Sequence, residues 1–428
     1  MIDNYAVSVI IPTHNRSESL SRSLFALSRQ TLGEPFEVIV VADGCTDDTG
    51  SRVSDLVLPY SFRYLEQAPA GPAAARNRGA EDARADILLF LDDDMEAAPA
   101  LIDSHLKAHR AFPGGLVQGY FPISVGADRR DFLMRSTAAW WGRFFADLSE
   151  PGHRFRFTEI CTGNLSVPRD LFISIGGFNP DFHNKAGEDF DFGARVLRRG
   201  LHVRFVRNAF SWHHDRPTLP RSLSRARAEG RGHVLILGKD PSLTRALPLG
   251  HRPHGRLRQI AFKLSWGPRV PADFFSLCLR LLWFAAVRLR LRKVARRCYL
   301  GLHALHYWFG VRDELGTFPV WQRLVQDAPI HADAEREIDI DLKQGWQVLE
   351  VLLQEVRPDA VRLWYGDHPL ARVAPEFGME ALGYDQVRAY ILDHLSLQLL
   401  GIRLLEPQDA AGVVDKSPVS DRAVPVMV

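Results

Sequence analysis

The chain of 428 residues carries 53 Lys plus Arg against 51 Asp plus Glu, a formal net charge of +2, and at ~100–200 residues per domain its length excludes a lone small module. Hydrophobic residues at 46% and charged residues at 24% lie near the globular average, which excludes a largely disordered or fibrous chain, and the balanced charge gives no footprint for nucleic acid. Cys45, Cys161, Cys278 and Cys298 form no CxxC pair, so neither a disulfide framework nor a cysteine zinc site is indicated. Asp3 and Asn4 stand where an export signal has its basic flank, and the apolar run 6–11 is too short for one, so a cytoplasmic protein is expected.

Residues 7–11, 36–42 and 87–91 are short, nearly continuous apolar runs ending in polar residues, the pattern of strands buried on both faces of a parallel sheet. Between them, residues 17–30 set Leu20, Leu24 and Leu27 on one helical face with Ser17 as N-cap, and the alanine-rich run 72–84 begins with a proline suited to a first turn. This alternation predicts an α/β sheet with right-handed crossovers. Residues 153–166 and 202–206 read as further strands and 167–176 and 186–199 as helices, closing the unit near Gly238. Residues 240–271, rich in Pro, Gly, Arg and His, read as a linker or surface-hugging segment.

From Phe274 to Arg312 there is no Asp or Glu, while Arg280, Arg288, Arg290, Arg292, Lys293, Arg296 and Arg297 interleave with Leu, Trp and Phe. The longest uncharged stretch, 281–287, falls short of the ~20 residues of a spanning helix. Two readings stay open: a basic amphipathic helix on an anionic membrane surface, or a helix packed on the preceding α/β unit with its arginines reaching solvent. Strand-like 337–342 and 360–365 alternate with helical 346–356 and 384–399 in a small α/β module. The expected divisions are therefore 1–240, 241–315, 316–405 and a flexible tail, 406–428.

The polar strand ends are Thr13-His14-Asn15-Arg16, Asp43-Gly44 and Asp92-Asp93-Asp94, and in such sheets strand ends of this kind converge on one crevice. Three consecutive carboxylates repel one another, so the triplet reads either as a seat for a hard cation such as Mg²⁺ or Mn²⁺ or as a solvated turn. Asp43 sits where a carboxylate accepts hydrogen bonds from a base or ribose, and the small residues around Arg76 and Arg78 offer guanidinium groups to a diphosphate.

Residues 7–16, 40–49, 75–79 (Ala-Arg-Asn-Arg-Gly) and 90–94 (Phe-Leu-Asp-Asp-Asp) resemble, in order and spacing, the motifs of the family 2 glycosyltransferases. The resemblance covers roughly residues 5–240. It implies the GT-A fold, with a Rossmann-like, mostly parallel central sheet, and an inverting transfer from a nucleotide-diphosphate sugar, UDP-sugars foremost. On this sequence it places the nucleotide sugar against Pro12, Thr13, Asn15, Arg16, Asp43, Arg76, Asp92 and Asp93, and Mn²⁺ or Mg²⁺ on Asp94 and Asp92. Gly187-Glu188-Asp189-Phe190-Asp191 resembles the acidic motif holding the family's catalytic base, here assigned to Asp189, with Glu188 adjacent and Asp191 in reserve. Gly163, Asn164 and Trp212 fall in the acceptor-side segments. His214, with His213 behind it, follows a strand as does an extra metal-ligating histidine of some GT-A enzymes.

The implied partners are a nucleotide-sugar donor and a glycan or lipid-linked acceptor, at the inner face of a membrane. A nucleotidyltransferase would open with a glycine-rich phosphate loop, which Pro12-Thr13-His14-Asn15 is not. A degenerate sugar-nucleotide-binding scaffold would lack carboxylates that Asp92, Asp94 and Asp189 supply.

Overall fold

The computed structural model describes residues 5–126, 131–332 and 334–405; the tail expected to be flexible lies outside them. An eight-stranded sheet is built from β1 (Ser8–Thr13), β2 (Glu37–Asp43), β3 (Ser61–Gln67), β4 (Ile87–Leu91), β5 (Met95–Ala97), β6 (Leu116–Tyr120), β7 (Asn164–Pro168) and β8 (Val203–His213). Its order is β3-β2-β1-β4-β7-β6-β8-β5. The first four neighbours and the β6–β8 pair are parallel, while β7 runs antiparallel between β4 and β6. This is the mostly parallel α/β architecture expected of the GT-A class.

The apolar runs are strands because both faces are covered: β2 is buried throughout, and β1 and β4 nearly so. The helices α1 (Ser17–Leu27), α2 (Thr49–Ser54), α3 (Pro72–Asp82), α4 (Leu101–Ala111), α5 (Phe132–Leu148), α6 (Arg169–Ile175) and α7 (Glu188–Arg198) complete this unit. Leu20, Leu24 and Leu27 of α1 are fully buried, as their spacing predicts. Ser17 is the first helical residue rather than the cap; Arg16 takes the cap position, without a side-chain cap bond, and its guanidinium reaches Asp93 and Asp94. Beneath the crevice Phe90, Phe172, Phe178 and Phe192 pack with ring centroids 4.8–5.6 Å apart. Truncating a buried phenylalanine of this kind costs about 3–5 kcal/mol.

A helical layer follows: α8 (Leu219–Lys239), α9 (Arg256–Ser265), α10 (Arg269–Arg288), α11 (Arg292–Leu315) and α12 (Phe318–Gln326). The expected linker, 240–271, is instead a packed segment: Leu243, Leu247, Leu249, Ala261 and Phe262 are buried, and Trp321 donates its indole N–H to the Leu249 carbonyl at 2.8 Å. Pro and Gly there terminate short turns without unpacking the chain. The expected basic helix is two helices, broken at Leu289–Leu291, where Arg290 takes a left-handed φ of 59°. α11 is a core element whose Gly310 faces the Arg227 carbonyl of α8, while Gly230 and Gly232 of α8 face the Tyr307 and Ala186 carbonyls; a Cβ at any of the three would collide with backbone.

Residues 337–405 form β9 (Glu337–Asp341), α13 (Trp346–Val356), β10 (Ala360–Tyr365), β11 (His368–Val373), α14 (Tyr384–Tyr390) and α15 (Ser396–Leu405), around a separate core that includes Ile340, Leu353, Leu363 and Val387. The buried carboxylate of Glu380 latches this module to the large unit. It accepts from Val203 N at 3.1 Å and Phe155 N at 3.3 Å and lies 2.6 Å from His202 Nδ1.

Candidate active site

The carboxyl ends of β1 and β4 place Thr13 and Arg16 against the aspartate triplet. Thr13 Oγ1 donates to Asp93 Oδ2 at 2.8 Å, and Arg16 Nη1 donates to Asp93 Oδ1 at 2.6 Å and Asp94 Oδ2 at 2.9 Å. Burial nevertheless pushes Asp93 up to about 6, Arg16 notwithstanding. Asp94 is held well below the usual carboxylate range: burial works against its charge, but His213 and Arg16 more than offset it. Pro12 lies in β1 just ahead of Thr13. Asn15 adopts a left-handed φ of 53° and folds its Oδ1 onto the Thr46 and Asp47 amides at 2.7 and 3.2 Å, so it braces the loop after β2.

Asp43 is largely spoken for. Its Oδ1 accepts from Ala70 N and Gln67 Nε2, and its Oδ2 from Gly71 N, at 2.7–2.9 Å. A carboxylate offers about four acceptor positions, which leaves one for a ligand.

Arg76 is the hub. It is buried over the Phe178 ring, and donates from Nη2 to Asp92 Oδ1 at 2.8 Å and from Nη1 to Glu188 Oε1 at 3.1 Å. One guanidinium thus ties the end of β4 to the start of α7. The neighbouring Asp189 turns elsewhere; its Oδ1 accepts from Phe190 N at 2.9 Å. Burial, then the charge of Glu188, pushes its carboxyl from the usual range toward neutrality, opposed by Arg225. Asp191 is removed from contention by an ion pair to Arg195 at 2.8 Å.

Two sequence expectations are corrected. The histidine at the triplet is His213, not His214: His213 Nε2 lies 3.3 Å from Asp94 Oδ1, while His214 Nε2 bonds Glu96 Oε2 at 2.8 Å. The cause is strand alternation, since His213 pairs with Met95 across β5 and its neighbours point the other way. Asn164 does not reach an acceptor, because it is fully buried with its amide donating to the Ala209 carbonyl and its Oδ1 2.8 Å from His105 Nε2. Gly163 does border the crevice: a Cβ there would stand 3.0 Å from Asp92 Oδ2 and 2.9 Å from the Met95 methyl, so a larger residue would have to push these side-chain ends aside. Trp212 is about half exposed, edge-on to Phe210, on the face of β8 opposite His213.

Asp94 Oδ1 is buried with no hydrogen bond and faces His213 Nε2 at 3.3 Å. A hard oxygen and an imidazole nitrogen are a donor pair suited to Mn²⁺ and compatible with Mg²⁺, so these residues fit a divalent ion. Among the described residues no three His, Cys, Asp or Glu side chains form a ready-made cage. An ion here would therefore draw the rest of its shell from a diphosphate and water.

Sequence reasoning missed Arg225 at the rim, which acts on Asp189 by charge, and an aromatic wall of Phe121, Trp141 and Phe145 beside His213, with Trp140 and Phe144 outside it. The run Trp140-Trp141-Gly142-Arg143-Phe144-Phe145 was the available signal.

The family model for glycosyl transferase family 2 matches residues 8–174, spanning β1 to the acceptor-side segment. Over these residues the chain is similar to the family 2 glycosyltransferases. A second model, described as the N-terminal domain of galactosyltransferase, matches residues 142–215, so similarity to transferases continues through Asp189 and His213. A validoxylamine A glucosyltransferase from Streptomyces hygroscopicus subsp. jinggangensis is 33% identical over 243 residues, 49% of this chain and 55% of the relative. A hyaluronan synthase from Pasteurella multocida is 26% identical over 49% of this chain and 25% of its own length. A solved mannosyltransferase from Pyrobaculum calidifontis, in complex with GDP-Man and Mn²⁺, superposes with a TM-score of 0.45 at 17% identity, covering 73% of this chain and 88% of that one. The chain spans about half the length of the validoxylamine A glucosyltransferases it matches.

Proposed function

We propose that the protein transfers a sugar, with inversion, from a nucleotide-diphosphate sugar, UDP-sugars foremost, to a hydroxyl of a glycan or lipid-linked acceptor at the cytoplasmic face of a membrane. The observation that carries this reading is the Arg76 bridge, which sets Asp92 and the Glu188–Asp189 pair on either side of one buried cation. Arg16 and Arg76 hold the carboxylates of the crevice in register. Asp92, Asp94 and His213 would hold Mn²⁺ or Mg²⁺, which when bound supplies positive charge for the departing diphosphate. Asp189 takes the acceptor proton: the acceptor oxygen bonds to the anomeric carbon as the bond from that carbon to the diphosphate breaks, and the proton passes to the Asp189 carboxylate. Its upward-shifted pKa suits a base working near neutral pH.

The test is nucleotide-diphosphate release from UDP-, GDP-, dTDP- and CDP-sugars with Mn²⁺, with Mg²⁺ and with chelator, alongside Asp189→Asn and Asp94→Ala and thermal shifts that report donor binding. Expected is one donor class that stabilises the protein and turns over only with metal and both carboxylates. A protein that no donor stabilises, with or without metal, would refute the reading.

A further inference from the structure

α10 carries two apolar stripes on opposite sides. Ala272, Ser276, Leu279 and Ala286 recur at helical spacing and are buried within the helical layer. Val270, Phe274, Leu277, Leu281 and Phe284 recur at the same spacing about half a turn away, and each is more than half exposed. Leu282, and Leu289 and Leu291 in the turn that follows, extend this outward ridge. Scattered apolar residues on a surface are ordinary, but a continuous ridge of this length on one element calls for a partner.

The charges around the ridge say what kind. Arg288, Arg290, Arg292, Lys293, Arg296 and Arg297 are all exposed at its carboxyl end and along the start of α11, and no carboxylate lies between Phe274 and Arg312. Asp273, at the opposite end, is the one acid on α10. A second copy would bring one basic collar toward another if it paired ridge to ridge in parallel, and in an antiparallel pairing would set each six-charge collar against a single acid, Asp273. An anionic lipid surface meets both features at once, taking the apolar ridge into the headgroup boundary and the collar onto lipid phosphates.

By length and composition α10 also passes as a helix able to cross a membrane, with a mean hydropathy of 1.6 over its most apolar window. Its inward face opposes that. Arg280 is turned to the protein, with Nε donating to Ser276 Oγ at 3.3 Å and Nη2 3.4 Å from His306 Nε2, and spanning would strip this face from α11. We propose that the outward face of α10 and the basic turn into α11 form a peripheral docking surface for anionic lipid headgroups, with α10 lying in the plane of the interface. The proposal does not depend on the donor or metal assignments, since it concerns a surface outside the crevice.

The experiment is flotation of the full chain with phosphatidylcholine vesicles, with and without phosphatidylglycerol, at low and high salt. It includes a ridge variant (Phe274→Ser, Leu281→Ser, Phe284→Ser) and a collar variant (Arg290→Gln, Arg292→Gln, Lys293→Gln). All six positions are exposed, so both variants should melt as the parent does. Expected is salt-sensitive binding to phosphatidylglycerol vesicles, weakened on the order of a hundredfold by the collar variant and abolished by the ridge variant. Nucleotide release from a soluble donor is expected to be unchanged in both, which separates failure here from failure of the transferase reading. Three results would overturn the proposal: no flotation with either vesicle; binding that ignores both salt and the collar; or a dimer in light scattering that the ridge variant dissolves while neither protein floats.

Discussion

The chain contains two α/β units that put charge on their strands in opposite ways. In the eight-stranded sheet, Asp93 and Asp94 follow the end of β4 with side chains only 5% exposed, shared by one arginine after β1, with His213 beside Asp94. In the three-stranded sheet, Glu337 and Asp339 on β9 are answered by Arg362 on the adjacent β10 and Glu337 also by Arg372 one strand further on β11, and both arginines are half exposed. The first arrangement forces like charges together out of water and shifts their protonation. The second spreads pairs over a solvated face, where each contributes little. Architecture alone does not make a site; the desolvation of unevenly matched charges does.

The strongest way to break this comparison is at Asp189. Asp189→Asn is expected to lower kcat by about 10²–10⁴-fold, measured as donor turnover with acceptor, while leaving donor-induced thermal stabilisation in place. The same variant should melt higher than the parent at pH 8. A carboxyl whose folded pKa is raised favours the folded state when protonated, and that stability is lost as pH rises through the folded value. In the parent, kcat should fall as pH drops below neutrality, rather than only below the ordinary carboxylate range.

Next in size is Arg76→Ala, which leaves Glu188 facing the one-third-exposed Asp92 with no cation between them. It should cost about 3–5 kcal/mol in denaturant unfolding. Glu380→Ala sharpens the comparison from the module's side. Stripping the Phe155 and Val203 amides of their acceptor should cost about 2–3 kcal/mol and expose residues 374–383 to limited proteolysis, with donor binding retained. The smallest effect is expected from Arg372→Ala in the module, whose melting temperature should match the parent's; a drop as large as that of Arg76→Ala would erase the distinction.

Much of the transferase domain was legible in the sequence because its signals are local. Uninterrupted apolar runs announced β1, β2 and β4, and each ended at residues the fold brings to one crevice. What escaped depends on partners far along the chain. His213 and His214 differ by one residue, and only the pairing of β8 with β5 decides which faces Asp94. Asp43 looked free until the loop at Gln67, Ala70 and Gly71 filled its oxygens. Asn164 looked like a ligand residue until His105 was placed behind it. Residues 240–271 have the composition of a linker, and no local pattern reveals that Trp321 anchors them. Glu380 stands in an unremarkable loop, and its role exists only once the module meets β8.

The glycines between α8 and α11 bear on how this protein can change. Gly232 lies against the Ala186 carbonyl, three residues before Asp189, and Gly230 and Gly310 set α8 against α11 at the same close range. At these points backbone rests on backbone, with no side chain between to be exchanged for a larger or smaller one. The helical layer and the turn leading into α7 therefore keep a fixed separation that cannot be tuned residue by residue. Variation in the shape of the crevice must proceed elsewhere, through the aromatic side chains of α5 and the exposed edge at Trp212, where side chains still set the spacing.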